Sequence, residues 1–238
     1  MYKYFLLLFT AAVFSQNNGI ATYKCSLNAD KLKDKISNSK NTSMLKYKGV
    51  INSIVDNSED IFFELKFNNN ISHFSVIESL EKNKLNILKA HYATSKYYFD
   101  KTKNIKLKQI EAFGSLYLIN ISEQKTIWKL TNEKKMINNF LCFKANAEIN
   151  KNNKVTKLEA WYCPQIPLPF GPMEYTGLPG IIYSLKIINN KYTVNFNLIK
   201  LKFSKKPIKI KIFEKGKKVT QKEFEKIGVQ IMSNLKNQ

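Results

Sequence analysis

The sequence predicts a mainly β fold: a curved antiparallel meander sheet with a C-terminal helix packed on it and one short helix near residues 44–55. Three observations carry this. Apolar–polar alternation of period two recurs in short runs from about residue 20 to residue 213. Pairs of asparagines separate several of these runs. The last segment changes to helical spacing behind a capping box. At 238 residues, with 44% hydrophobic and 13% aromatic content, the chain is long enough for one sizeable core and too apolar for disorder. No internal repeat or linker divides it.

Taken in order, Lys3 precedes a ten-residue apolar run, Phe5 to Phe14, and Val13-Phe14-Ser15 occupies the usual cleavage positions. Ten residues rise about 15 Å as a helix, half of a bilayer core, so residues 1–15 are expected to be a signal peptide rather than an anchor. That leaves 16–238 as a single exported domain, in the periplasm or outside the cell, with no transmembrane span. Its cysteines would meet an oxidising compartment. The formal charge of +21 comes from 39 basic residues, all lysine, scattered rather than massed. Base readout and bidentate phosphate clamps favour arginine, so no nucleic-acid partner is expected. A diffuse cationic surface suits weak, salt-sensitive contact with anionic lipid or polysaccharide.

Ile20 to Leu27 reads as a first strand carrying Cys25. After a polar connection, Met44, Tyr47, Val50, Ile51, Ile54 and Val55 fall at helical spacing. IFFELKFN and ISHFSVIE then flank Asn69-Asn70, which as a type I′ corner sets Leu65 opposite Phe74 and Phe63 opposite Val76. Strands follow at about 93–100, 106–112, 116–122 and 127–131. In the central hairpin, an Asn152-Asn153 corner sets Ala147 against Leu158, Ala145 against Ala160 and Phe143 against Tyr162 on one apolar face. Lys144 meets Trp161 on the other, and a one-residue slip would mix the faces. Further on, an Asn189-Asn190 corner would pair Ile187 with Tyr192 and Leu185 with Val194. Ile208–Phe213 (IKIKIF) reads as another strand. Thr220 and Glu223 form the capping box, with Phe224, Ile227, Ile231 and Leu235 on one helix face.

The central register places Cys142 opposite Cys163 in a non-hydrogen-bonded pair, with Cα atoms about 4.5 Å apart, inside the disulfide window. A Cys142–Cys163 bridge with Cys25 left over is the expectation; Cys25 paired with either is the rival arrangement. Catalytic signatures are missing. His73 and His91 have no ligand-spaced partner, so no metal or other cofactor is expected. Gly114-Ser115 lacks the second half of a nucleophile elbow.

Between Pro164 and Gly180 lie five of the six prolines and three of the eight glycines. Leu178-Pro179-Gly180-Ile181 reads as a type II turn, with Gly180 supplying positive φ. The segment is a rigid crossover between hairpins. It is also the candidate binding rim: Trp161, Tyr162, Pro167, Phe170, Gly171, Pro172, Gly177, Leu178, Pro179 and Gly180, with Met173 and Tyr175 adding apolar surface.

These residues carry a resemblance. GLPGII at Gly177–Ile182, with Trp128, Glu133, Lys135, Ile137, Cys142, Lys144 and Ala145 upstream, then Ala160-Trp161-Tyr162, Ile166-Pro167 and Gly171-Pro172, resembles the GLPGLI family of exported Gram-negative proteins. The match is strong over 128–185 and diffuse elsewhere. Ile181 stands for the family's Leu, and Asn139 where the family usually has Gly. The resemblance implies export and a shared fold, with no assigned activity. The functional expectation is therefore a non-catalytic envelope module that binds an apolar ligand or a partner protein through the concave face and the proline-rich rim. The alternatives are a hydrolase-type enzyme whose residues converge only in three dimensions, and a structural envelope protein.

Overall fold

The computed structural model describes residues 18–39, 46, 48–56, 58–78, 87–151 and 154–236. The expected signal peptide (1–15), Met44, Tyr47 and the Asn152-Asn153 corner lie outside the described residues. Among the described residues are twelve strands: β1 (Gly19–Asn28), β2 (Ile61–Phe67), β3 (Ile71–Val76), β4 (Ser95–Asp100), β5 (Ile105–Ala112), β6 (Ser115–Asn120), β7 (Lys129–Ile137), β8 (Phe140–Lys151), β9 (Lys154–Cys163), β10 (Ile181–Ile188), β11 (Thr193–Phe203) and β12 (Lys217–Thr220). Four helices accompany them: α1 (Asp30–Ser37), α2 (Lys48–Asp56), α3 (Ile87–Tyr92) and α4 (Gln221–Lys236). The short helix expected near 44–55 is α2. Helix α1 falls in the stretch read as a plain connection, because Leu32 and Ile36 are its only apolar residues, Ile36 alone being buried, and two positions make a weak periodic signal.

One sheet runs β12-β6-β5-β4-β3-β2-β1-β11-β10-β9-β8-β7. It is therefore two meanders that meet at β1. The sheet is mixed rather than wholly antiparallel, since β12 joins β6 in parallel. Its curvature follows from chain length. Connection 121–128 joins β6 to β7, ten strand positions away. Across a flat sheet that is about 48 Å, whereas the connection reaches only about 30 Å fully extended. The sheet must curl to bring its ends together. Accordingly Lys151, at the tip of β8, forms an ion pair of 2.5 Å with Glu225 of α4, and α4 itself lies against β6 through Phe224 and Tyr117, ring centroids 5.1 Å apart.

Strand alternation then fills the concave face with Ala21, Tyr23, Phe63, Leu65, Phe67, Phe74, Leu158, Ala160, Leu185, Ile187, Val194 and Phe196, all buried. Phe63 stacks on Phe74 at 4.9 Å. Leu88 and Tyr92 of α3 are buried with them, Tyr92 edge-on to Phe196.

Three corners show what fixes register. Phe63 pairs with Val76 and Leu65 with Phe74, as the sequence predicts. The corner is held by Asn68, whose Oδ1 accepts from Asn70 N and Ile71 N; neither Asn69 nor Asn70 has positive φ, so the turn is not type I′. The central hairpin keeps its register from Phe143↔Tyr162 to Lys151↔Lys154. The third corner is corrected by two residues: Leu185 faces Phe196 and Ile187 faces Val194. Asn189 takes the first position of the turn, as Asn68 does, and its Oδ1 accepts from Lys191 N and Tyr192 N. A shift of two preserves the faces. Left-handed pairs occur instead at Asn138-Asn139 (φ 46° and 66°) and Phe113-Gly114 (φ 52° and 69°), so Asn139 adopts a conformation that glycine enters at no steric cost.

The IKIKIF run is not a strand. Residues 204–216 form an extended strap that crosses the outer face from β11 to β12. Phe213 packs edge-on to His73 of β3 at 5.2 Å and against Tyr98 of β4. Lys215 O accepts from Gln109 Nε2 of β5. A segment running across strands cannot join their ladders, so its alternation records one-sided contact only. The capping box is present, with Thr220 N and Oγ1 donating to Glu223 Oε2 and Glu223 N donating to Thr220 Oγ1. Helix α4 covers the β6–β12 end rather than the middle of the sheet, and Val229 stays 70% exposed. The side chain of Leu235 lies outside the described residues. No helix among them is long and apolar enough to cross a membrane.

Under the strap, burial holds the His73 imidazole below its ordinary pKa, and Lys66 and Lys96 push it the same way. The unfolded imidazole takes its proton first, so stability is full above about pH 6.5 and falls as pH drops through the folded value. Urea midpoints measured from pH 8 to pH 5 should decline on acidification, and His73→Asn should flatten that decline.

Candidate functional site

β9 and β10 pair antiparallel with Cys163 opposite Ile181, so residues 164–180 leave and re-enter the sheet at one point. The excursion folds under the concave face as a plug. Ile166, Leu168, Phe170, Tyr175 and Leu178 are buried, while Pro164, Gln165, Pro167, Gly177 and Pro179 are exposed. Backbone bonds tie it down at both ends: Ile166 N to Cys163 O, Ile181 N to Ile166 O, Ile182 N to Phe170 O and Gly177 N to Pro169 O. The Phe170 ring lies 6.4 Å from Phe67 and 5.9 Å from Phe99. Tyr23 of β1 donates to Ile182 O at 2.6 Å, and Trp128 Nε1 donates to Thr176 O at 3.0 Å.

The glycines are required for reasons the sequence alone does not reveal. Gly180 does not have positive φ; Gly177 does, at 96°. Gly180 N bonds to Leu178 O at 2.8 Å, an inverse γ-turn pattern about Pro179 rather than the expected type II turn. What demands glycine at 180 is close approach: a Cβ there would lie 2.1 Å from Cys163 O and 2.4 Å from its carbonyl carbon. Gly171 is similar, since a Cβ would meet Ile182 Cδ1 at 2.6 Å and Tyr175 O at 2.7 Å.

The expected rim is divided by the fold. Trp161 and Tyr162 are consecutive on β9 and therefore take opposite faces. Tyr162 sits inside beside Phe143, ring centroids 6.1 Å apart. Trp161 lies outside beneath Lys135, whose Nζ is 4.0 Å from the ring centroid. Beside it Lys144 bridges Glu133 and Glu159, and Glu159 also reaches Lys186. Phe170, Gly171, Pro172, Leu178 and Gly180 are buried in the plug. The outward rim keeps Pro167, Gly177 and Pro179, and gains Pro164 and Gln165.

A second constellation was missed by the sequence reading. At the far end of the plug, Met173 is left-handed (φ 58°), and the strained turn aims Glu174 at β4 and β5. Glu174 Oε2 is buried without a hydrogen-bond partner. Lys106 and Lys108 stand around it; burial holds both ammonium groups below their ordinary pKa, and Glu174 opposes that shift. Burial pushes the Tyr97 and Tyr175 hydroxyls well up, and Glu174 adds to the rise. Tyrosines so shifted stay protonated, so the cluster works as an electrostatic latch more readily than as an acid–base pair. Its signal in the sequence is lysine at two alternate positions on the face shared with Ile110.

All three cysteines are free and buried. Cys25 faces inward on β1, three strand spacings from β9, or about 14 Å. That excludes its pairing with Cys163 without large movement. The Cys142–Cys163 bridge is not closed in this structure, and the Cys163 thiol donates to Gln165 Oε1 at 3.9 Å.

A family model described as "Protein of unknown function (Porph_ging)" matches residues 146–184, from β8 through the plug into β10. No curated protein matches the chain. Among solved structures, PNGF-II in the C2 and P21 space groups superposes with TM-scores of 0.51 and 0.52 at 11% and 12% identity. Each match covers 88% of this chain and 32% of that one, so the chain spans about a third of the length of PNGF-II. At such identity the likeness is one of fold.

Two substitutions probe the plug. Gly180→Ala forces the plug off the Cys163 backbone and should cost about 3 kcal/mol, the upper end of overpacking, read as a lower urea midpoint. Glu174→Gln leaves Lys106 and Lys108 facing a neutral group. It should cost about 1–3 kcal/mol, less than for a fully buried pair, and should raise amide exchange in residues 172–178.

Proposed function

We propose that the protein is an exported, non-catalytic member of the GLPGLI family that binds a partner protein at the outward rim of its plug. One observation carries this reading. The apolar half of the proline-rich segment turns inward onto Phe67 and Phe99, while Pro164, Pro167, Gly177 and Pro179 stay exposed. An apolar ligand would need the concave space that Leu168, Phe170 and Tyr175 occupy, so the rim is favoured over the face. Prolines already fixed in φ lose little freedom on docking. The family model that includes this segment, and an architecture that covers about a third of the longer PNGF-II, both accord with an accessory module. Export belongs to the same reading, and with it an oxidising environment for Cys142 and Cys163.

A second reading, an enzyme, draws on Glu174 beside Lys106, Lys108 and Tyr97. The raised tyrosine pKa values argue against proton transfer near neutral pH.

Photo-crosslinking in intact envelopes tests the first reading. A crosslinking side chain at Pro167 or Pro179 should yield one discrete protein adduct, and the same group at Lys206 on the strap should not. Equal labelling at all three positions, or none, would remove the case for a rim partner. N-terminal sequencing of the fractionated protein checks export separately, with Gln16 as the expected first residue.

A further inference from the structure

We propose that Cys142 and Cys163 form a thiol–disulfide exchange site across β8 and β9, with Cys163 as the attacking thiol, Cys142 as its resolving partner and Gln165 as a lid.

The juxtaposition comes from register. Phe143 pairs with Tyr162, and the next step along both strands brings Cys142 beside Cys163. Counting out from Lys151↔Lys154, hydrogen-bonded and non-hydrogen-bonded pairs alternate, and 142/163 falls in the second class. Such a pair holds its Cα atoms about 4.5 Å apart, within the roughly 4.4–6.8 Å that a disulfide needs. At that separation closure requires side-chain rotation and no strand movement.

The two sulfurs are not equivalent. Cys163 ends β9, where Cys142 beside it and the backbone amides of Gln165 and Ile166 hold its pKa below the ordinary thiol value. Cys142 is pushed up by Cys163 beside it and by burial. Near neutral pH, then, Cys163 is the nucleophile and Cys142 carries the proton.

Access is controlled by one side chain. Gln165 is exposed, and its Oε1 accepts from Leu141 N at 2.8 Å and from the Cys163 thiol at 3.9 Å. That amide bridges the two strands over sulfurs that do not reach solvent. Rotation of Gln165 uncovers Cys163 without disturbing the ladder.

The electrons come from the pair and go to a disulfide donor, of the small-molecule or dithiol-protein class. The Cys163 thiolate attacks one donor sulfur, forming a mixed disulfide and expelling the first donor thiolate, which takes a proton. Cys142 then loses its proton, its thiolate attacks Cys163 Sγ, and the second donor thiol leaves. Two thiols and one disulfide give one disulfide and two thiols. The presence of such a donor around the protein rests on the export reading above, whereas the reactivity does not. Because Cys163 O accepts from Ile166 N and abuts Gly180, closing the bridge would clamp the root of the plug.

The test uses purified reduced protein and oxidised glutathione, with acid quenching and peptide mapping. Wild type should form the Cys142–Cys163 bridge, reverse it in dithiothreitol and leave Cys25 free. Cys142→Ser should stop at a glutathione adduct on Cys163. Cys163→Ser should form its adduct on Cys142 at least tenfold more slowly. Gln165→Ala should speed the first step several-fold with an unchanged urea midpoint. A wild-type protein that forms no bridge, a bridge through Cys25, or a Cys142 as reactive as Cys163 would overturn the assignment. Fractionation showing the protein retained inside the cell would sink the export reading and leave these rates untouched.

Discussion

A chain that leaves β9 at Cys163 and enters β10 at Ile181, directly opposite, has to complete everything between as a closed excursion. The closure is tight because Gly180 sits against the Cys163 carbonyl with no room for a Cβ. From that constraint the rest follows. The excursion is too apolar to lie in water, and the nearest place to bury it is the concave face of the sheet that generates it. Phe170 reaches Phe67 and Phe99, and Ile182 N closes on Phe170 O. The loop becomes the centre of the core.

The sheet can receive such a plug only because it curls, and the curl is imposed by connections. Eight residues cannot bridge β6 and β7 across a flat layer of this width, so the two meanders wrap toward one another and Lys151 meets Glu225. A curled sheet with an unfilled inner face would expose Phe63, Phe74 and Phe196. The plug, α3 and the aromatic contacts among those rings remove that surface from water, at about 25 cal/mol per Å² of apolar area. The strap on the outer face performs the converse task over His73 and Tyr98, holding strands together from outside with few backbone bonds of its own.

Burying the plug also buries its polar residues, and the two sites of chemical interest are consequences of that. Glu174 is carried inward to two lysines that β5 would otherwise hold unopposed. Cys163 is placed where the loop begins, with its thiol donating to Gln165 Oε1. Both lie at points where the plug begins or turns. The outward prolines, by contrast, are left over: they cannot donate to a ladder and so remain on the surface as a stiff rim.

By itself the sequence determined which residues share a face. Alternation in FLCFKANAEI and KLEAWYC admitted one register only, and the structure keeps it through Ala145, Ala160, Phe143 and Tyr162. It also determined the helix start at Thr220 and Glu223, because a capping box is satisfied within four residues. What only the tertiary structure decided depends on contacts between distant segments. Asn189 heads its turn instead of sitting inside it with Asn190, because a side-chain oxygen captures two amides, and a slip of two costs no change of face. IKIKIF alternates like a strand yet crosses the sheet, since alternation records which side is covered and not what covers it. Lys106 and Lys108 were visible as inward lysines, but their partner Glu174 enters from the plug. Trp161 and Tyr162 could be placed on opposite faces from spacing alone; that Phe170 joins Tyr162 inside, while Pro179 stays out, required knowing that the sheet curls.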